Sequence, residues 1–172
     1  MTLPDLEPLS REDARLRWVA ADDAAVADAA ARAEERLAAA EPAERLRLLG
    51  YLGNAYRLLR RHDDAVAAHE RAAALAEGPR ERAVALTRLG ESLRCADRYG
   101  EAEAVLRGAV AAAPPEVRHY ALQHLGKTLL DAGARREATA LLEDTLALRR
   151  AGGDAALIAS TERALAAARE RP

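Results

Sequence analysis

The chain is poor in aromatic residues: 3% of its 172 positions, made up of four Tyr, one Trp and no Phe. A core without large rings must be filled by Leu, Ala and Val, and a chain rich in Ala and Leu favours helix. Cysteine occurs once, as Cys95. No intramolecular disulfide is possible, and a reducing compartment, the cytoplasm, is the expected location. There is no excess of either charge: the formal net charge is −2 and the pI is near 6.1. A general nucleic-acid binder would carry a basic excess. No run approaches the roughly 18 apolar residues that suggest a membrane span. The opening residues Met1–Ser10 lack the basic and apolar regions of a signal peptide. What remains, 50% hydrophobic and 31% charged, fits a soluble chain folded as one domain.

Catalytic and metal signatures are missing as well. His62 is expected in a turn and His69 at a packing position on a helix. His119 and His124 are five apart and share no helix face. Neither a His-Glu-x-x-His motif nor a paired-cysteine spacing occurs, and the glycines are too scattered for a phosphate loop. A non-enzymatic protein without cofactor or metal is therefore expected. Cys95 is read as a structural thiol. The acid pairs Asp22-Asp23 and Asp63-Asp64 are read as helix-start residues, and Glu103 and Arg107 as a surface pair one helical turn apart.

One pattern is strong. Leu86, Leu89, Gly90 and Leu93 share a helical stripe, a break follows at Asp97–Gly100, and Ala102, Leu106 and Ala109 form a second stripe before Pro114. The unit recurs around Gly53 and Gly126. From each glycine an alanine lies 12 residues on (Ala65, Ala102, Ala138) and a packing residue 16 on (His69, Leu106, Leu142). A glycine inside a helix costs about 1 kcal/mol against alanine, so these positions need a close crossing by another helix. The sequence thus predicts three helix pairs, each joined by a tight turn.

This pattern resembles the tetratricopeptide repeat (TPR), W-x2-L-G-x2-Y…A-x3-F…P, from about Ala43 to Gly152. Leu49, Leu86 and Leu122 stand at its first aromatic position. Tyr56 alone keeps the tyrosine and Pro114 alone the closing proline. The glycine-to-glycine steps are 37 and 36, slightly longer than the family's 34. The extra residues are expected at Glu77–Arg82 and Pro114–Arg118. The implied fold is all-α, a right-handed α-solenoid of stacked antiparallel helix pairs.

In chain order, residues 1–9 are expected to be a flexible arm. Ser10-x-x-Asp13 looks like a capping arrangement for a short helix through Arg17 and Trp18. Residues 10–42 then form an N-terminal helical cap or a degenerate repeat. Repeats follow at 43–79, 80–114 and 115–153, and a capping helix at 154–172 starts from Asp154 and covers the last repeat.

In such a stack the first helix of each pair lines a concave groove. The stripe beside the packing glycine reads Arg47, Gly50, Tyr51, Asn54, Arg57 in repeat one. It reads Val84, Thr87, Arg88, Glu91, Arg94 in repeat two, and Tyr120, Gln123, His124, Lys127, Leu130 in repeat three. Six of these fifteen are Arg, Lys or His, and only Glu91 is acidic. Arginine forks suit carboxylates, and Arg and Tyr are enriched in binding hot spots. An acidic segment or a C-terminal carboxylate is the expected ligand, with charge reversal at Arg57 and Arg94 expected to abolish its binding. Some family members hold a C-terminal dicarboxylate with a basic and asparagine clamp. By resemblance its positions here are Gly50, Asn54, Arg88, Tyr120 and His124, of which only Asn54 matches, so that mode is not implied.

The resemblance implies a protein-interaction module with a protein or peptide partner. Alternatives are a homodimer formed through the Ala-rich faces of 24–40 and 155–168, and a peptide-sensing regulator acting on a partner enzyme or transcription factor. The abundance of Ala and Arg suggests a GC-rich bacterial genome.

Overall fold

The structure, a computed structural model, describes residues 2–170. Met1, Arg171 and Pro172, the outermost residues of the expected arm and capping segment, lie outside the described part. Eight α-helices follow a short β-hairpin: α1 (Asp23–Leu37), α2 (Pro42–Leu58), α3 (His62–Leu75), α4 (Pro79–Cys95), α5 (Tyr99–Ala112), α6 (Pro115–Asp131), α7 (Arg135–Gly152) and α8 (Ala155–Glu170). Successive helices pack against each other. In addition α2 packs on α4, α4 on α6 and α6 on α8, with no comparable contact from α3 to α5 or α5 to α7. The even-numbered helices therefore form an inner layer that closes up while the outer layer splays, which curves the stack.

Local chemistry sets the helix ends. Each inner repeat helix begins at a proline, Pro42, Pro79 or Pro115, in its first turn. There the missing N–H has no intrahelical partner to lose and φ is already helical. Each of these helices ends with a left-handed residue: Arg60 (φ 61°), Asp97 (φ 60°) or Gly133 (φ 86°). The following N–H groups, of Arg61, Arg98 and Ala134, donate to the carbonyls of Tyr56, Leu93 and Leu129 at 2.8, 3.0 and 2.8 Å, so the last orphan carbonyls are satisfied. Asp22 caps α1 by accepting from Ala25 N at 3.0 Å. Asp154 caps α8 by accepting from Ala156 N and Leu157 N.

The three glycines sit where helices cross. A Cβ on Gly53 would meet the His69 ring, one on Gly90 would lie 2.7 Å from Leu106 Cδ2, and one on Gly126 would lie 2.7 Å from Leu142 Cγ. Those three partners, and Ala65, Ala102 and Ala138 one turn earlier, are fully buried. Real carbon contacts prefer about 3.5–4.0 Å, so no side chain fits. α8 buries Thr161, Ala164, Leu165 and Ala168, and so covers the last pair.

The N-terminal region departs from expectation. There is no helix through Arg17 and Trp18. Strand β1 (Ser10–Glu12) pairs antiparallel with β2 (Trp18–Ala20). Asp13 does not cap a helix. Its carboxylate accepts from Arg15 N at 2.8 Å and Arg17 N at 2.9 Å, a side-chain turn that competes with helix, while Trp and Val favour the strand that follows. A single helix, α1, thus stands where a helical pair was expected in residues 10–42. Nor is the segment before it a loose arm. Glu7–Leu9 form a 3₁₀ turn, Leu3, Leu6 and Leu9 pack against the core of α1 and α2, and Tyr51 donates its hydroxyl to Pro4 O at 3.0 Å.

Candidate functional site

The inner helices bring the expected stripe onto one concave face, but the face is not uniformly open. In one half of the stripe, Arg47, Arg88 and Tyr120 are exposed, and Tyr51, Asn54, Arg57, Val84 and His124 are half-buried. In the other half, Thr87, Glu91, Arg94, Gln123, Lys127 and Leu130 are buried. The expectation of one continuous basic groove fails there because the hairpin loop Asp13–Arg17 covers Arg94 and Lys127, while Gln123 donates to Ser160 O of α8.

Under the loop the charges are already satisfied. Arg94, 1% exposed, binds Glu91 at 3.0 Å and Asp131 at 2.9 Å. It also donates to Leu16 O at 2.9 Å and to Arg15 O at 3.4 Å. Glu91 takes a second bond from His124 Nδ1 at 2.7 Å, and Arg57 Nη1 stands 3.8 Å away. Burial alone would raise Glu91; Arg94, His124 and Arg57 outweigh it and hold the carboxyl well below its usual range. Burial pushes His124 down, opposed by Glu91. Lys127 binds Glu12 at 3.0 Å. The acids that neutralise the stripe are thus mostly outside it, on the hairpin and at Asp131. Charge reversal at Arg94 would disrupt the core and cannot report on ligand binding.

The open half is different. Among the described residues neither Arg47 nor Arg88 has an ion-pair or hydrogen-bond partner. The Arg88 guanidinium extends over Gly50, where a Cβ would lie 2.6 Å from Nη1. Burial and then the like charge of Arg57 lower its pKa. Arg57 itself has Nε and Nη1 buried without a hydrogen bond. Like charges held together in a partly desolvated place favour an incoming anion. Two clefts border Arg88. One, about 180 Å³, is lined by Arg47, Gly50, Arg80 and Val84 among others. The second, about 250 Å³, is lined by Thr87, Val117, Tyr120 and His124 among others. Tyr120, 40% exposed, stacks on His119 with ring centres 4.1 Å apart.

The remaining flagged residues are structural. His69 is fully buried, shares a 2.8 Å hydrogen bond with Ser92 and a 3.3 Å one with Gly50 O, and is pushed down to about 3 by burial, with Arg57 and Arg88 adding to it. Cys95 is buried, and burial pushes its thiol up, the opposite of a reactive cysteine. Glu103 and Arg107 pair at 2.8 Å. Glu12, Leu16 and Arg17 also reach the concave face, and no local spacing marks them, since the segment reads as the start of a helix. The prolines at the three inner-helix starts stand 11 residues before each packing glycine, a spacing as regular as the others.

A helix-pair stack with an inner concave face, closed at one end by a covering helix, defines an α-solenoid. A tetratricopeptide-repeat profile matches residues 48–83, and a second matches 120–151. The chain thus carries tetratricopeptide repeats in these two stretches. It is similar in fold to the nearly identical TPR-like repeats of a candidate kinesin light chain from Podosopora anserina, at TM-score 0.60 and 19% identity over 85% of this chain and 75% of that one. A single-substitution variant of those repeats gives 0.61 and 19%, over 85% and 74%. Comparison with curated proteins finds no match. No described helix is long and apolar enough to cross a membrane, and no described cluster of His, Cys, Asp or Glu could hold a metal ion.

Proposed function

We propose that the protein is a non-enzymatic interaction module that holds an acidic peptide segment of a partner in the open half of its concave face. The observation that carries this reading is that Arg47 and Arg88 line one cleft at Gly50, with Glu81 at its edge and, among the described residues, no ion pair on either arginine, while Arg57 acts on Arg88 as a like charge and has one acid, Glu91, 3.8 Å away. Arg88 and Arg47 supply the forks for carboxylates, and Tyr120, Val84 and His124 supply the adjoining contact surface. Glu91 sets the register because it repels an acid placed deeper.

The test is fluorescence polarisation with a dye-labelled hexaglutamate peptide. Arg47→Glu and Arg88→Glu, both at exposed positions, should each weaken binding about tenfold, since a hot-spot contact is worth more than about 1 kcal/mol. Equal affinity in wild type and both variants would end this reading.

Self-association is a second reading, favoured by Leu148 rather than by the Ala-rich faces. Leu148 is 51% exposed and lines an outer cleft of about 840 Å³ with Val110, Leu122, Leu125 and Leu141. Light scattering decides it: a monomer at millimolar concentration would exclude it.

A further inference from the structure

The hairpin is bound to the concave face as a ligand would be. Glu12 inserts its carboxylate between Lys127 Nζ at 3.0 Å and Arg163 Nε at 2.9 Å. Four residues on, Leu16 is buried and joins the apolar cluster of Leu142, Ala164 and Leu165. Its carbonyl accepts from Arg94 Nη2 at 2.9 Å and Lys127 Nζ at 3.4 Å. Arg17 then donates to the last carbonyls of α4, Cys95 O at 3.0 Å and Arg94 O at 3.2 Å, and to Asp97 at 2.6 Å. Cations are favoured at a helix C-terminus. Every one of these receiving groups belongs to the repeats or to the covering helix.

Two features distinguish this segment from an ordinary piece of core. Leu16 is held at φ 57°, a strained conformation for a branched residue. A two-stranded hairpin also has little stability of its own, so its order derives from the surface beneath it. That surface is largely complete without it, since Arg94 keeps Glu91 and Asp131.

We propose that the buried half of the concave face is a second peptide-binding surface, occupied in cis by the hairpin, that accepts in trans a turn-forming partner segment carrying an acidic residue, a three-residue spacer and a Leu-Arg pair. It is separate from the open half: its recognition groups are Arg94, Asp97, Lys127 and Arg163, so failure of one proposal leaves the other intact. A partner segment of this chemistry displaces the hairpin and takes over its carboxylate, leucine and guanidinium contacts.

The experiment uses the full chain and a dye-labelled peptide of residues 9–20. Glu12→Arg places a cation against Lys127 and Arg163 and expels the hairpin. The variant should bind the peptide at least tenfold more tightly than wild type, whose site is filled. A control peptide with Lys in place of Glu12 should not bind. Hydrogen exchange should accelerate in residues 10–20 while α2–α7 keep their protection. Glu12→Gln, a milder change, should give a gain of a few-fold. Peptide binding no tighter in Glu12→Arg than in wild type, with α2–α7 still protected, would overturn the proposal. If Glu12→Arg loses protection throughout α2–α7, Glu12→Gln decides: no gain in peptide binding overturns the proposal, and a gain upholds it.

Discussion

Two glycine-to-alanine substitutions in neighbouring helices should change stability by clearly different amounts. Gly108 lies on the exposed side of α5, and a Cβ there meets nothing within 4 Å. Gly108→Ala should gain the helix-propensity difference, about 1 kcal/mol. Gly90 in α4 has the same propensity to gain, but its Cβ would lie 2.7 Å from Leu106 Cδ2, with Cγ nearer still. The overlap is about 1 Å against an ordinary carbon contact. Leu106 has no exposed surface, so it cannot swing away without moving its neighbours. Overpacking of this kind costs about 1–3 kcal/mol. Gly90→Ala should therefore fall about 1–3 kcal/mol below Gly108→Ala, with propensity cancelling between them. For a chain of this size that is a melting-temperature gap of roughly 2–12 °C, at about 2–4 °C per kcal/mol. Leu106→Ala in the Gly90→Ala background should recover part of the clash term, which a double-mutant cycle isolates. Thermal melts by circular dichroism measure wild type, Gly108→Ala, Gly90→Ala, Leu106→Ala and the Gly90→Ala/Leu106→Ala double variant. Equal stabilisation by the two alanines would refute the close-crossing argument, and with it the stack.

Other outcomes follow from the same geometry. Arg94→Met should cost about 3–5 kcal/mol in urea denaturation, because Glu91 and Asp131 keep their charge in a buried place; a loss under about 1 kcal/mol would contradict that. His69 has its pKa lowered from 6.5 to about 3, so below pH 6.5 the unfolded chain takes a proton that the native one refuses. Stability should fall as pH drops, by about 3 kcal/mol at pH 4.5 from this group alone. His69→Leu, which places leucine where the other two pairs already have it, should flatten that acid limb. Arg60→Gly should stabilise by about 0.5–1 kcal/mol by removing left-handed strain. Asp97→Gly at the matching position should destabilise instead, because Asp97 holds Arg17 at 2.6 Å and Arg15 at 3.2 Å.

Much of the fold was legible because a repeat writes the same local physics three times. Gly53, Gly90 and Gly126 mark crossings, Ala65, Ala102 and Ala138 mark the facing helix, and Asp154 marks the last helix start. Each depends on neighbours close in sequence. The hairpin was not legible for the opposite reason. Ser10 and Asp13 have the composition of a helix cap, but Asp13 bonds the backbone of a turn instead, and what docks that turn is contact of Glu12 and Leu16 with residues about 80 to 150 positions away, such as Arg94 and Arg163. The groove followed the same division. Periodicity selected Arg94 and Lys127 as facing inward, but it could not show that Asp131 and Glu12 arrive to neutralise them.

The sequence by itself determined the helix pairs, their turns and the stripe that faces inward, since these follow from spacing along one helix. Only the tertiary structure decided which of those inward side chains meet water. That depends on how residues 2–20 fold back over the stack, a long-range packing outcome that no local spacing encodes.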